Sequence, residues 1–405
     1  MSDMTWIPVK SATPETTWLP RYLLAAVLIR GANDGAVLGL VLLAVREYGG
    51  DSGVAAGGVL AGALTLPHVI GPLIGRLLDR GGDSRHTLAA GFALYGVTLG
   101  AAAVMLGRVP FLLVVAAALT AGCNGPLLSG GLSSRLGAPR SLALDSGSWG
   151  VATTAGPAAA GLLAVQAGPL VAVLVLCVLA FAAAAVTLTL PADERRTQPH
   201  DKREPVLRFF LRDQTFRKAA WCFTWAGLGT GVFPVMTPLL STALGRSAGA
   251  GGLFLSAYGV GSLAGSLVVA ARPPGIDPLR RAGWCVLAMG ACVAGAAVAP
   301  EYWVALVAFG LVGVVNGPFI AAVLEVCRHG APTELRAQVF VTTGSLKIGA
   351  ASLAGATAGA LGAVGGRAVL LGAAVALTIA ATTPLLVGRR QVRPEQQPSA
   401  AVSRP

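Results

Sequence analysis

The sequence predicts an all-α membrane protein of twelve transmembrane helices in two pseudo-symmetric six-helix bundles. Three observations carry that reading. Only 12% of the residues are charged against 54% hydrophobic, with a mean hydropathy of +0.71, whereas a soluble domain carries about 25% charged residues. The apolar residues come in runs of about 20 or more, the length that crosses a ~30 Å hydrocarbon core. Short motifs also recur at a near-constant spacing in the two halves of the chain, as in transporters built from parallel repeats.

The chain opens with a polar tail, residues 1–17, carrying Pro8 and Pro14 and no signal-peptide pattern. Six apolar spans follow at 18–46, 52–79, 85–106, 109–134, 141–165 and 168–190. The break between the last two rests on Gln166-Ala167-Gly168-Pro169, because glycine and proline punctuate helices. Residues 191–218 are crowded with charge, including Glu194-Arg195-Arg196 and Asp201-Lys202-Arg203-Glu204, and read as an aqueous central loop. Six more spans come at 219–244, 247–271, 280–299, 301–327, 336–362 and 367–388. The tail 389–405, with Pro394, Pro398 and Pro405, reads as disordered. The two bundles are then 18–190 and 219–388.

A net charge of +12 suggests nucleic acid, but position excludes it. Of 30 Lys and Arg, Arg30 and Lys347 lie near the middle of spans, and Arg46, Arg108, Arg246 and Arg367 fall at odd-numbered loops; the rest sit in or at the edges of even-numbered loops or the tails. That bias predicts cytoplasmic termini and central loop, and the high Ala, Gly and Arg content fits the inner membrane of a bacterium with a GC-rich genome. The six cysteines (Cys123, Cys177, Cys222, Cys285, Cys292, Cys327) lie in or at the ends of apolar spans without metal-site spacing. No metal or cofactor is expected. There is no nucleophile–base set and no phosphate-binding loop, so the chain does not read as an enzyme.

The repeat shows in the fourth and tenth spans, which hold Asn124-Gly125-Pro126 and Asn316-Gly317-Pro318. The second and eighth hold Gly71 with Gly75 and Gly261 with Gly265. Such glycines let helix backbones approach closely in lipid.

Ionisable residues inside the membrane are the first candidates for a site, since an isolated charge at the bilayer centre costs roughly 2.5–3.5 kcal/mol on insertion scales. Arg30 and Asp34, four residues apart in the first span, share a face and can pair; they read either as a structural pair or as a proton site. Lys347 in the eleventh span can pair across helices with Asp34 or meet an anionic substrate group. Asn33, Asn124 and Asn316 add polar groups at comparable depth. Asn124 and Asn316, each before Gly-Pro, contact substrate or satisfy backbone groups freed by proline. Trp149 stacks on a planar substrate or packs in the core. His68 follows Pro67 and can bond a freed carbonyl. Glu325 is expected near the cytoplasmic edge, meeting Arg328.

Between the second and third spans the chain reads Gly75, Asp79, Arg80, Gly82 and Arg85. This resembles the signature loop of the major facilitator superfamily, with Ser84 at the first of its two basic positions. The resemblance implies that family's fold and alternating access. It implies a cavity lined by the first, fourth, seventh and tenth helices with parts of the second, fifth, eighth and eleventh. It makes these five residues a conformational switch, with Asp79 facing the N-terminus of the eleventh helix near Pro332–Arg336 or pairing with Arg135. In the fifth span, Gly156, Pro157 and Gly161 are similar to the Gly-Pro motif of the family's antiporters, chiefly drug exporters, although Ala152 and Ala160 stand where glycines are usual. The arginine of proton-coupled exporters' fourth helix is absent from Ala121–Pro126, so Arg30 is expected to supply the cation.

The resemblance implies a proton-coupled exporter of a small organic molecule, such as a drug or secondary metabolite, working as a monomer in the lipid bilayer. Asp34 with Arg30 would carry the proton, and Asn33, Asn124, Trp149, Asn316 and Lys347 would bind substrate. A proton symporter for uptake is the alternative on the same scaffold. A membrane sensor is disfavoured, because no polar loop is long enough to hold a soluble domain.

Overall fold

The computed structural model of the protein describes residues 15–70, 83–133, 135–136, 139–192, 212–271, 275–330 and 336–386. Among these the first half forms α1 (Glu15–Tyr48), α2 (Gly50–Thr65), α3 (Ser84–Met105), α4 (Phe111–Cys123), α5 (Pro139–Gln166) and α6 (Pro169–Leu188). The second half forms α7 (Gln214–Ala243), α8 (Gly251–Ala271), α9 (Pro278–Ala297), α10 (Tyr302–Gly330), α11 (Arg336–Ala360) and α12 (Gly366–Leu386). Among the described residues each predicted span therefore contains a helix. Eight helices are long and apolar enough to cross a membrane by themselves: α1, α2, α3, α6, α7, α8, α10 and α12. The helical run of α4 is short, and α5, α9 and α11 carry Asp145, Arg281 and Lys347.

Local chemistry sets the ends. The α5–α6 break falls where predicted: Gly168 takes φ 93, open to a residue without Cβ, and Pro169 occupies the first turn of α6. The seventh helix starts before the predicted 219, because Asp213 caps it by accepting from the backbone N–H of Thr215 (2.8 Å) and Phe216 (3.1 Å). Midway α7 is interrupted at Val232, just before Pro234, which has no N–H to give the helix ladder.

The repeated Asn-Gly-Pro triplets share a position but not a conformation. After Asn124-Gly125-Pro126, α4 gives way to a π-helical turn over Leu127–Gly131. Asn316-Gly317-Pro318 lies inside an unbroken α10.

Small residues bring the helices together. In the first half α1 packs on α2, α5 and α6, and in the second α10 packs on α8 and α9. A Cβ on Gly35 would lie 2.7 Å from the Gly156 carbonyl oxygen, so α1 and α5 touch backbone to backbone. The halves meet along two seams, α2 against α11 and α5 against α8. A Cβ on Gly58 would lie 2.6 Å from Gly359 Cα, and one on Gly249 would lie 2.6 Å from the Gly161 carbonyl oxygen. The two seams exchange under the pseudo-two-fold relating the halves. Both of these glycine contacts lie toward the end that carries the odd-numbered loops.

Candidate functional site

The seams enclose a cavity of about 500 Å³ between the bundles. Both halves contribute to its wall: Asn33 and Asp34 from α1, Trp149 and Pro157 from α5, Lys347 and Ser352 from α11. Thr65 and His68 close one side, Phe233 and Tyr258 another, and most of the lining is apolar. The polar minority is what can orient a ligand in such a site.

Arg30 decides how Asp34 is presented. Side chains on a helix lean toward its N-terminus, which carries the guanidinium of Arg30 away from Asp34 and toward the level of Tyr22. There it meets Asp145 of α5, with Nη1 donating to Oδ1 at 2.7 Å. Nη1 also donates to Ser148 Oγ (2.5 Å) and Nη2 to Ser133 Oγ (2.9 Å), while the guanidinium lies 4.4 Å over the Trp149 ring. The Asp145 carboxylate accepts further from Tyr22 Oη (2.7 Å) and Ser133 Oγ (2.8 Å). The expected Arg30–Asp34 pair is therefore corrected: Arg30, 1% exposed, is bound into a network joining α1 to α5. Asp34 is left with neutral hydrogen-bond partners, Asn33 Nδ2 donating at 3.3 Å and the Thr153 hydroxyl within reach, and feels Arg30 only through space.

Lys347 reaches the cavity from the opposite bundle. Its ammonium lies 5.6 Å from the Phe223 ring centroid and 5.8 Å from that of Phe319. Among the described residues no ion pair joins it to Asp34 or to another carboxylate.

The structure does not bring Asn124 or Asn316 to this cavity. Asn124 Nδ2 donates to the Thr120 carbonyl of its own helix at 3.0 Å, the role of satisfying backbone beside Gly-Pro. Asn316 Nδ2 donates to Ser262 Oγ of α8 at 2.9 Å. Both are buried against neighbouring helices. Glu325 accepts from Arg281 of α9 at 2.5 Å; the side chain of Arg328, its expected partner, lies outside the described residues.

Of the signature loop, Gly75, Asp79, Arg80 and Gly82 lie outside the described residues, as does the segment 331–335 that Asp79 was expected to face. Arg85 is placed: it pairs with Asp83, which caps α3, and donates to the Leu190 carbonyl at 3.2 Å. Arg135 donates to Ser84 Oγ at 2.6 Å and to the Pro191 carbonyl. These residues tie the start of α3 to the end of α6. In the antiporter-like motif, Gly156 abuts Gly31 and Gly35 of α1, while Gly161 abuts Gly252 of α8 and Gly249 in the turn that leads into it.

Residue patterns missed Asp145, Tyr22, Ser133 and Ser148. One signal was present, since Asp145 falls inside the apolar stretch 141–165 and a membrane carboxylate calls for a cation. Tyr258, Thr153 and Ser352 carried no signal beyond their positions in spans.

The sequence profile of the Major Facilitator Superfamily matches residues 23–347. No curated protein matches the sequence. Among solved structures, the POT family transporter PepTSo has a TM-score of 0.71 at 12% identity, covering 94% of this chain and 98% of that one. A bacterial homolog to the human lysosomal transporter Spinster, inward-facing and unoccupied, has a TM-score of 0.67 at 15% identity over 91% and 96% of the two chains. A bacterial homologue of the iron transporter ferroportin, in an inward-facing state, has a TM-score of 0.67 at 12% identity over 92% and 99%. At these identities the likeness is one of fold. The profile, the two six-helix bundles and the cavity between them agree: the chain belongs to the Major Facilitator Superfamily of membrane transporters.

Proposed function

We propose that this transporter is a proton-coupled exporter of a small organic molecule, a drug or secondary metabolite, working by alternating access as a monomer. The observation that carries the reading is the release of Asp34 into the central cavity by the diversion of Arg30 to Asp145. A carboxylate whose hydrogen-bond partners are neutral, in a wall shared by both bundles, can take a proton on one side of the membrane and lose it on the other. Proton and substrate then exclude each other there. The membrane potential supplies about 2.3 kcal/mol per charge per 100 mV.

Export over uptake is supported by the fifth helix, whose Gly156 and Gly161 seat it between α1 and α8 and resemble the seam of the family's antiporters. With the termini cytoplasmic, as the basic residues predict, the closed seams face outward and the cavity is loaded from the cytoplasm. Gly75, Asp79, Arg80, Gly82 and Arg85 serve as the switch loop of this cycle.

The test is substrate-dependent proton flux in inside-out bacterial membrane vesicles, run against a panel of drugs and metabolites. Wild type should exchange protons for at least one panel compound. Asp34→Asn should insert normally yet show no substrate-driven flux. Full transport by that variant sinks the proposal, and proton and substrate moving in the same direction would make the protein an uptake symporter.

A further inference from the structure

Asp34 and Lys347 line one cavity from different bundles, and among the described residues neither forms an ion pair there. Arg30, the cation nearest Asp34 in sequence, is committed to Asp145 at 2.7 Å. The hydrogen-bond partners of Asp34 are Asn33 and Thr153, both neutral, and Arg30 acts on it only through space. Lys347 sits against the rings of Phe223 and Phe319, which favour a cation but do not neutralise it. An uncompensated charge at this depth is costly and calls for a partner, and here the cavity is the only place left for one among the described residues.

The rest of the cavity wall is mainly aromatic and apolar. Trp149 is held by the Arg30 guanidinium at 4.4 Å, and Phe233 stands edge-on to Tyr258 with centroids 5.8 Å apart. A space of about 500 Å³ has room for a drug-sized body against those rings.

We propose that the cavity takes a zwitterion with an aromatic body, its ammonium group on Asp34 and its carboxylate on Lys347. This rests on the transport reading above and narrows it to a substrate class. The cargo itself completes an ionic bridge from α1 to α11, so it is the loaded cavity that draws the bundles together. Protonation of Asp34 removes the partner of the ammonium group and releases that end first. A molecule with one charge, or none, leaves one of the two protein charges unmatched and binds more weakly, as sites with unpaired polar groups reject incomplete ligands.

The test measures binding to the full-length protein in nanodiscs, using matched triplets. Phenylalanine is compared with phenethylamine and 3-phenylpropionate. Tryptophan is compared with tryptamine and indole-3-propionate. A third set sets the charges further apart: 4-(aminomethyl)phenylacetate, its methyl ester and its N-acetyl derivative. In at least one triplet the zwitterion should bind about tenfold or more tightly than either singly charged member. Lys347→Gln should bring the amine or ester level with the zwitterion, and Asp34→Asn should do the same for the carboxylate member. If no triplet favours its zwitterion, or if both variants keep the wild-type order, the proposal is overturned. Substrate-driven proton flux with apolar drugs would in that case leave the exporter reading standing. Zwitterion preference without any proton flux would uphold this inference and remove that reading.

Discussion

Arg30 on α1 is bonded to Asp145 on α5 at 2.7 Å and not to Asp34, four residues further along its own helix. Two acids that look alike in the sequence therefore have opposite duties. Asp145 accepts from Arg30, Tyr22 and Ser133 and holds two helices together, while Asp34 opens on the cavity.

Asp145→Asn should destabilise the protein by about 3–5 kcal/mol, because it leaves a buried guanidinium without its carboxylate. Tyr22→Phe removes one hydrogen bond to that carboxylate and should cost about 1.5–3 kcal/mol. Asp34→Asn should leave the unfolding midpoint close to wild type. Thermal unfolding in detergent reads all three. Equal losses for Asp34→Asn and Asp145→Asn would show that the two acids share one structural role.

Much of this was legible in the chain. Apolar runs bounded by charge fixed the twelve helices, and the Gly168-Pro169 break between α5 and α6 lies where local chemistry puts it. Asp34 and Lys347 stood out because each interrupts such a run. The partner of Arg30 was not legible, since four-residue spacing names a neighbour on the same helix and says nothing of what crosses it. Helix geometry held a hint: an acid C-terminal to its base is the poorer order for such a pair, as both side chains lean toward the N-terminus. Asn124 and Asn316 left two readings open, a ligand contact or a backbone one, for the opposite reason. Their polarity answers to local backbone and to Ser262, and composition cannot separate that need from a ligand's.

The glycine seam should be intolerant of bulk. A side chain at Gly58 meets Gly359 Cα 2.6 Å from its Cβ, with no flexible atom to give way. Overpacking of this kind costs about 1–3 kcal/mol, enough to shift the balance of open and closed forms by about tenfold. Gly58→Leu should hold α2 and α11 apart, read as a longer distance between spin labels placed on the two helices. At Gly100 the nearest atom, Cys177 Sγ, is 3.6 Å from the added Cβ, so Gly100→Ala should leave the distance unchanged.

His68 should respond to a change on another helix. Its ring fills the space beside Gly125, where an added Cβ would overlap the imidazole, and its Nδ1 lies 3.0 Å from the Thr65 carbonyl oxygen. Gly125→Ala must displace the ring from its place in the cavity wall. The expected outcome is a severalfold change in the rate at which diethylpyrocarbonate modifies His68, followed by mass spectrometry. An unchanged rate would show that the ring does not depend on that contact.

Lys347→Met should leave the fold intact, because the methionine stem can occupy the same place between Phe223 and Phe319 with a loss of under about 1.5 kcal/mol. Transport should fall nonetheless, since the charge is lost from the cavity. Unimpaired transport by a stable Lys347→Met protein would exclude the lysine from cargo handling.

The Asn-Gly-Pro triplets give the two halves different mechanics. In α10 the triplet lies within one continuous helix, Tyr302–Gly330. In α4 the same three residues open into a π-helical turn, a spacing that leaves slack in the backbone ladder. The fourth helix thus carries a joint at a level where the tenth, written with the same three residues, runs on unbroken, and the copied plan places its slack in one half only at that level.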